Sequence, residues 1–384
     1  MHDRRETVMD DVIVIGAGPG GATAARRLAE SGLRVRLLEK SAIPRVKPCG
    51  GALTDRALAW LPPDYSTVLQ THPYQWTCQA ARLPPVTLTR PEPYCHIVDR
   101  PAFDAWLTRH AETAGAVILT EHPVIGLEEE SDGVRVMTAR GPFEARYVIA
   151  ADGGQGPSRR LLGLPRPRMG AALEAEVPVS PTFYDRFRDR VEIHFTEIPW
   201  GYAWVIPRSP ILNVGVGSFR AEGLALKKML TTFMTTIFGD SPPSHVVRAH
   251  PLPYRHRWVP PIKGRVLWVG DAAGLMDPFS AEGIYSALVS GHLAADAVVR
   301  HLQSDVPLTH YDQLLRHALG PSWKAASGMA RIFYPLTAFW APFFLENQLL
   351  LEDYLRIATQ QSDYDTLRRH ALAILWQNRV HIRR

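Results

Sequence analysis

The chain has 384 residues, 46% of them hydrophobic and 21% charged, which excludes a largely disordered polymer and leaves length for two domains with sizeable cores. A formal charge of +5 and a pI near 9.1 suit anionic cofactors or an acidic membrane surface, and no nucleic-acid-binding module accompanies them. The three cysteines, Cys49, Cys78 and Cys95, lack C-x-x-C spacing, which argues against a disulfide framework or a zinc site and fits a reducing cytosolic compartment.

Met1 to Asp10 is polar with both charge signs and reads as a frayed leader, neither signal peptide nor anchor. The β-branched run Asp11 to Ile15 then predicts a buried parallel strand. It ends in Gly16-Ala17-Gly18-Pro19-Gly20-Gly21, a G-x-G-x-x-G turn. Gly16 would turn the chain, Gly18 would admit a pyrophosphate to the backbone, and Gly21 would let the next helix lie close to the strand. Phosphates would rest on the N-terminus of a helix over Ala22 to Glu30, where free N–H groups and the helix dipole favour negative charge. Leu33 to Leu38 predicts the second strand. Glu39 closes it, with Lys40 beside it, roughly twenty residues past the glycines, where a carboxylate receives ribose hydroxyls and repels a 2′-phosphate. FAD or NAD fits this unit; NADPH does not.

A loop of unusual composition follows, Arg45-Val46-Lys47-Pro48-Cys49-Gly50-Gly51, in which the paired glycines would let backbone approach a flat ring closely. Two further strand-turn units come later. Tyr147 to Ala151 leads into Asp152-Gly153-Gly154-Gln155-Gly156, and Arg265 to Val269 leads into Gly270-Asp271 and on through Pro278 to Gly283-Ile284. Asp271 would meet a ribityl chain, and the amides around Ala281 to Ile284 would face a flavin pyrimidine and stabilise charge on the reduced ring. With the first unit, this selects FAD over NAD.

Between these units, Tyr202 and Trp204 alternate with Ala203 and Val205, so both would face one side of a strand, as an aromatic wall or as sheet packing. Beyond about residue 310 the chain reads as helical. The uncharged stretch Ile332 to Leu345 is broken by Pro335 and Pro342 and falls short of the ~18 apolar residues of a spanning helix. Its aromatics, Tyr334, Phe339, Trp340, Phe343 and Phe344, would line a lipid entrance, dip into a bilayer surface or pack in the core. The last helix, with Leu367, Leu372, Leu375 and Trp376 among arginines, reads as amphipathic.

Pro48-Cys49-Gly50-Gly51, Asp99-Arg100-Pro101-Ala102-Phe103-Asp104, the Gly270-Asp271 unit, and Tyr202 to Arg208 followed by Asn213-Val214-Gly215-Val216-Gly217 together resemble the geranylgeranyl reductase family of the FAD-dependent monooxygenase-like superfamily. The likeness covers most of residues 10 to 300. It implies an α/β fold: a Rossmann-like FAD-binding domain from 10–70, 95–170 and 255–310, an interleaved antiparallel-sheet substrate domain from 71–94 and 171–254, and a helical region over 311–384. It also implies Arg100 near the flavin and its phosphates, and Tyr202, Trp204 and Pro278 at a prenyl pocket. The chain departs from the family at Gln155-Gly156, where Asn-Ser is usual, and at Ile206, where Phe is usual. The latter approaches the W-x-W-x-I-P pattern of flavin halogenases, but the Pro48 to Gly51 loop decides against halogenation.

The resemblance implies FAD-dependent reduction of isoprenoid C=C bonds in a lipid, pigment precursor or quinone. The alternatives are a monooxygenase or halogenase acting on an aromatic, or a non-redox FAD-dependent isoprenoid cyclase. Such a reduction needs a hydride, a proton donor and a dry apolar pocket. Cys49, flanked by Gly50 and Gly51, would supply or relay the proton, with Lys47 and Arg45 lowering its pKa, although an ordinary thiol near 8.5 is a weak acid for an alkene. The electron donor would be NADPH, bound transiently, or ferredoxin. A peripheral membrane contact is compatible with a cytoplasmic protein.

Overall fold

The computed structural model describes residues 9–80, 83–195, 198–358 and 362–382. The frayed leader expected over Met1 to Asp10 lies outside this range up to residue 8, as do the last two residues of the basic C-terminal end.

Strand β1 (Asp10–Ile15), helix α1 (Pro19–Glu30) and strand β2 (Val35–Leu38) form the opening unit. The helix starts three residues earlier than expected, because Pro19 occupies its first turn, where a missing N–H costs nothing, and Gly18 caps it. β2 starts two residues later than expected. β1 lies between β2 and the strand Gly141–Ala150, both parallel to it, and Val266–Trp268 adds beyond. Ile15 pairs with Leu38 on one side and Ala150 on the other, and Ala150 pairs with Trp268. The register therefore ends these strands at one edge. That edge gathers Gly16, Glu39, Asp152 and Asp271 from four distant stretches of sequence, outside the carboxyl ends of a parallel sheet where α/β folds bind ligands.

α1 also packs on the long helix Ile284–Ser304. A Cβ on Gly291 would lie 2.2 Å from the Gly20 carbonyl oxygen, so only glycine permits this backbone contact.

The second sheet has seven strands, in the order Val246–Tyr254, Arg168–Pro178, Ile211–Ser218, Gly201–Arg208, Arg190–Phe195, Gln75–Ala80, Val86–Thr89. Its pairs are antiparallel except Arg190–Phe195 with Gln75–Ala80, which run parallel because those strands enter from separate parts of the chain. Period-two alternation divides its faces. Ala175, Val177, Ala203, Val205, Val214 and Val216 are buried in a core with helix Leu226–Phe238. Glu174, Tyr202, Trp204 and Ile206 take the opposite face.

Helices Gly320–Phe333, Thr337–Glu346, Gln348–Ala358 and Tyr364–Ile382 close one end. Phe333, Phe343, Phe344, Leu350 and Leu367 pack there with Phe279 and with Cys78 and Ala80 of the second sheet. Among the described residues, no helix is long and apolar enough to cross a membrane.

Candidate active site and cofactor cradle

A cavity of about 590 Å³ opens where the edge of the first sheet, the second sheet and the C-terminal helices meet. Gly16, Gly18, Pro19 and Gly20 line one end. Gly16 has φ +102°, and a Cβ there would lie 2.5 Å from the Ala151 oxygen. At Gly18 a Cβ would meet only an Arg45 Nη2 3.7 Å away, so space is left above the helix N-terminus. Gly21 lies beneath rather than on the wall. Its Cβ would sit 1.9 Å from the Gly16 oxygen, so its role is helix-strand packing rather than ligand contact.

Glu39 is 3% exposed and accepts from Ala17 N at 2.9 Å and Ser41 N at 3.1 Å. Arg45 reaches it at 3.3 Å and Asp104 at 3.1 Å. Asp104 in turn holds Arg100 through Nε at 3.0 Å and Nη2 at 3.1 Å. The Asp99 to Asp104 motif is thereby explained: Asp99 caps helix Arg100–Thr113 by accepting from Ala102 N, and Asp104 sits one turn along to fix Arg100. A buried chain Glu39–Arg45–Asp104–Arg100 thus links the ribose end of the cradle to the Cys49 loop.

Asp152 lines the cavity but directs its carboxylate at Ser158, accepting from N at 2.8 Å and Oγ at 2.9 Å. A Cβ on Gly156 would lie 2.1 Å from the Asp152 Cγ, which is why a residue larger than glycine does not fit here. Lys40, Gly270, Asp271, Gly283 and Ile284 all line the wall, and Gly283 caps the helix whose N-terminus faces the cavity. Burial raises the Asp271 carboxyl above the usual range, opposed by Lys47 and Arg100. Lys47, lowered by its own burial, has Nζ 3.3 Å from His250 Nε2. His250 is pushed down to about 3 by burial and by those two cations, so it is neutral and accepts from Lys47.

Cys49, Gly50 and Gly51 lie where the two sheets meet. Cys49 N donates to Glu174 Oε1 at 2.9 Å, and Gly51 N donates to Cys49 Sγ at 3.4 Å. A Cβ on Gly50 would lie 2.5 Å from Ile206 Cδ1, and one on Gly51 2.1 Å from the Val98 oxygen at φ +74°. Close backbone packing and the positive φ require glycine at 51, whereas at 50 the Ile206 side chain can shift to admit a methyl group. Arg45 is committed to Glu39 and Asp104. Arg100, fixed by Asp104, adds its charge near Cys49 alongside Lys47.

Tyr202 and Trp204 do face the cavity. Tyr202 donates to the Ser280 oxygen at 2.6 Å and Trp204 Nε1 to Asn213 Oδ1 at 2.7 Å. The indole lies over Gly215, where a Cβ would be 2.1 Å from its Cζ2, which accounts for glycine at that position. Trp76, Phe195, Phe219, Tyr334, Tyr354 and Leu355 extend the apolar wall. Pro278 does not join it: Asp277 accepts from Phe279 N and Ser280 N, and that turn sends Phe279 to the wall and buries Pro278 behind. Of the C-terminal aromatics, Tyr334 lines the cavity, Phe343 and Phe344 are buried, and Phe339 is 55% exposed. Sequence reasoning missed Glu174, Asn213, His250, Tyr354 and Tyr364.

The open turn above α1, the buried Glu39 and the two helix N-termini aimed at one cavity fit FAD. A family model described as an FAD binding domain matches residues 9–195. Digeranylgeranylglycerophospholipid reductase 1 of Methanopyrus kandleri is 30% identical, over 90% of this chain and 96% of that protein. Geranylgeranyl diphosphate reductase of Rhodobacter capsulatus is 32% identical over 77% of each. The crystal structure of a geranylgeranyl bacteriochlorophyll reductase-like protein from Thermoplasma acidophilum superposes with a TM-score of 0.77 at 25% identity, covering 88% of this chain and 91% of that one. The chain belongs to the geranylgeranyl reductase family of FAD-dependent oxidoreductases.

Proposed function

We propose that the protein hydrogenates isolated C=C bonds in a prenyl chain carried by a lipid, pigment precursor or quinone. The observation that carries this reading is the continuity of the FAD cradle with an apolar, aromatic wall that includes Trp76, Tyr202, Trp204 and Tyr334. An unactivated alkene has no carbonyl for the protein to polarise. It needs positioning and exclusion of water, and such a wall does both. Reduced FAD, when bound, supplies the hydride.

The chain's own residues divide the remaining work. Gly16, Gly18, Pro19, Gly20 and Lys40 would receive the phosphates, Glu39 the adenosine ribose, Asp152 and Asp271 the sugar-like hydroxyls, and Gly283 and Ile284 the ring. Cys49, Gly50 and Gly51 would bound the reacting centre, with Arg100 held beside them. Ile332, Leu336 and Phe339 are exposed on either side of Tyr334. Because that turn joins the surface to the cavity wall, we assign it to a peripheral bilayer contact through which a prenyl lipid enters.

Incubation with geranylgeranyl-bearing lipids and dithionite under argon tests the reading by product mass. A gain of two hydrogens per double bond is expected. An added oxygen or halogen, or an unchanged mass with a rearranged skeleton, would redirect it.

A further inference from the structure

Saturating a double bond takes a hydride and a proton. The hydride brings both electrons, so a group on the wall must provide the proton. The Cys49 sulfur is poorly suited to that, since it accepts from Gly51 N–H and an ordinary thiol is a weak acid for an alkene. We propose that Glu174, and not Cys49, is the acid that protonates the prenyl double bond, an assignment that rests on the prenyl-reductase reading above.

Glu174 lies on the cavity face of strand Arg168–Pro178 and is 4% exposed. Across the neighbouring strand its register partner is Gly215, which also pairs with Trp204, so the carboxyl stands on the same face as the indole. One hydrogen bond fixes its position, and an unpartnered buried amide stands near it. Cys49 N donates to Oε1 at 2.9 Å. Trp204 Nε1 can only donate, so Asn213 must turn its oxygen to the indole, and its Nδ2, claimed by no other acceptor, is left on the Glu174 side.

Burial favours the neutral acid, and Glu176 adds to this. Asn213, Cys49 N–H and Arg208 oppose it, while Arg248 on the next strand is engaged by Glu176. Lys47 and His250 stand on the same wall, and His250 is neutral. At ordinary values a carboxyl of pKa about 4.3 is a stronger acid than a thiol of about 8.5, and burial, while narrowing that gap, raises the fraction of Glu174 that carries the proton. In the step, the Glu174 O–H bond and the alkene π bond break and a C–H bond forms. The hydride completes the second C–H bond, and the carboxylate left behind is reprotonated from solvent.

The test compares Glu174→Gln, which keeps the oxygen that accepts from Cys49 N, with Glu174→Asp and Cys49→Ala in the FAD-bound protein. Oxidation of the dithionite-reduced enzyme by a prenyl substrate under argon should slow by about 10²–10⁴-fold in Glu174→Gln, with flavin absorbance and reducibility unchanged. Part of the rate should return in Glu174→Asp, and Cys49→Ala should lose less than about tenfold, its backbone N–H being intact. Independently of any substrate, the infrared spectrum should contain a protonated-carboxyl C=O band that Glu174→Gln removes and that persists to higher pH than the band of an ordinary glutamate. A missing band, or Glu174→Gln turning over at the wild-type rate, overturns the assignment while leaving prenyl reduction intact. A wild type that leaves prenyl chains unreduced overturns both.

Discussion

Substituting Gly215 by alanine adds one methyl group at the most constrained point of the cavity roof. The new Cβ would lie 2.1 Å from Trp204 Cζ2 and 2.4 Å from Cε2, far inside contact distance, and Gly215 sits in a strand where alanine carries no backbone strain. The indole must therefore move, and its 2.7 Å bond to Asn213 must lengthen or break. Overpacking costs about 1–3 kcal/mol and a lost hydrogen bond about 0.5–1.5 kcal/mol, so about 2–4 kcal/mol is expected together. Gly217→Ala is the internal control, because its Cβ would rest 3.4 Å from the same ring, in ordinary contact. Urea unfolding of the FAD-bound variants measures the stability change, and kcat/KM on a prenyl substrate measures the wall. Gly215→Ala should lose stability by that amount and kcat/KM by at least about tenfold, the equivalent of 1.4 kcal/mol, while Gly217→Ala stays near wild type. Equal behaviour of the two variants would refute the argument that Gly215 is glycine in order to seat Trp204.

Glu39→Ala removes a buried acceptor from Ala17 N, Ser41 N and Arg45, and at about 1–3 kcal/mol should weaken FAD binding roughly 5- to 150-fold by fluorescence titration. Gly21→Ala puts a methyl group 1.9 Å from the Gly16 oxygen and should yield little soluble flavoprotein, read as the ratio of flavin to protein absorbance. Because His250 titrates near 3 when folded and near 6.5 when unfolded, the unfolded chain takes up the extra proton, so its contribution falls as pH drops from about 6.5 toward 3. Buried carboxyls such as Asp271 shift the opposite way, so the wild type minus His250→Gln difference is the quantity to measure. The variant should gain relative stability at pH 5 over pH 7.5, and a pH-independent difference would contradict the burial argument.

The cofactor half of the molecule was readable because its chemistry is local in sequence. Gly16, Gly18, Gly21 and Glu39 belong to one strand-turn-helix-strand, and Asp271 is the third residue after its own strand. Tyr202 and Trp204 were readable from strand alternation alone. What escaped depends on register and long-range approach. Glu174 sits in an alternating stretch of small residues and acids, Ala172-Leu173-Glu174-Ala175-Glu176, and only pairing with Gly215 and the arrival of the Cys49 loop distinguish it from a solvent-facing glutamate. An acid on the same strand face as Ala172, beside a glycine-rich partner strand, was the available signal. Arg45 was read, with Lys47, as a cation near the thiol, and its ion pairs with Glu39 and Asp104 depend on approaches that sequence spacing does not show. Pro278 was assigned to the substrate because it lies in the right motif. Its neighbour Phe279 lines the cavity instead, since the Asp277 carboxylate sets the turn. Tyr354 and Tyr364 come to the cavity from helices whose packing on the second sheet no local pattern encodes.

The central claim is that electrons leave the cradle for a prenyl double bond and for nothing else. Titrating the dithionite-reduced, FAD-bound protein with a geranylgeranyl lipid under argon, and comparing flavin reoxidised with double bonds lost by mass, tests it most directly. One double bond saturated per flavin reoxidised is the predicted result. A flavin that stays reduced until oxygen is admitted, with product gaining oxygen rather than two hydrogens, would contradict it.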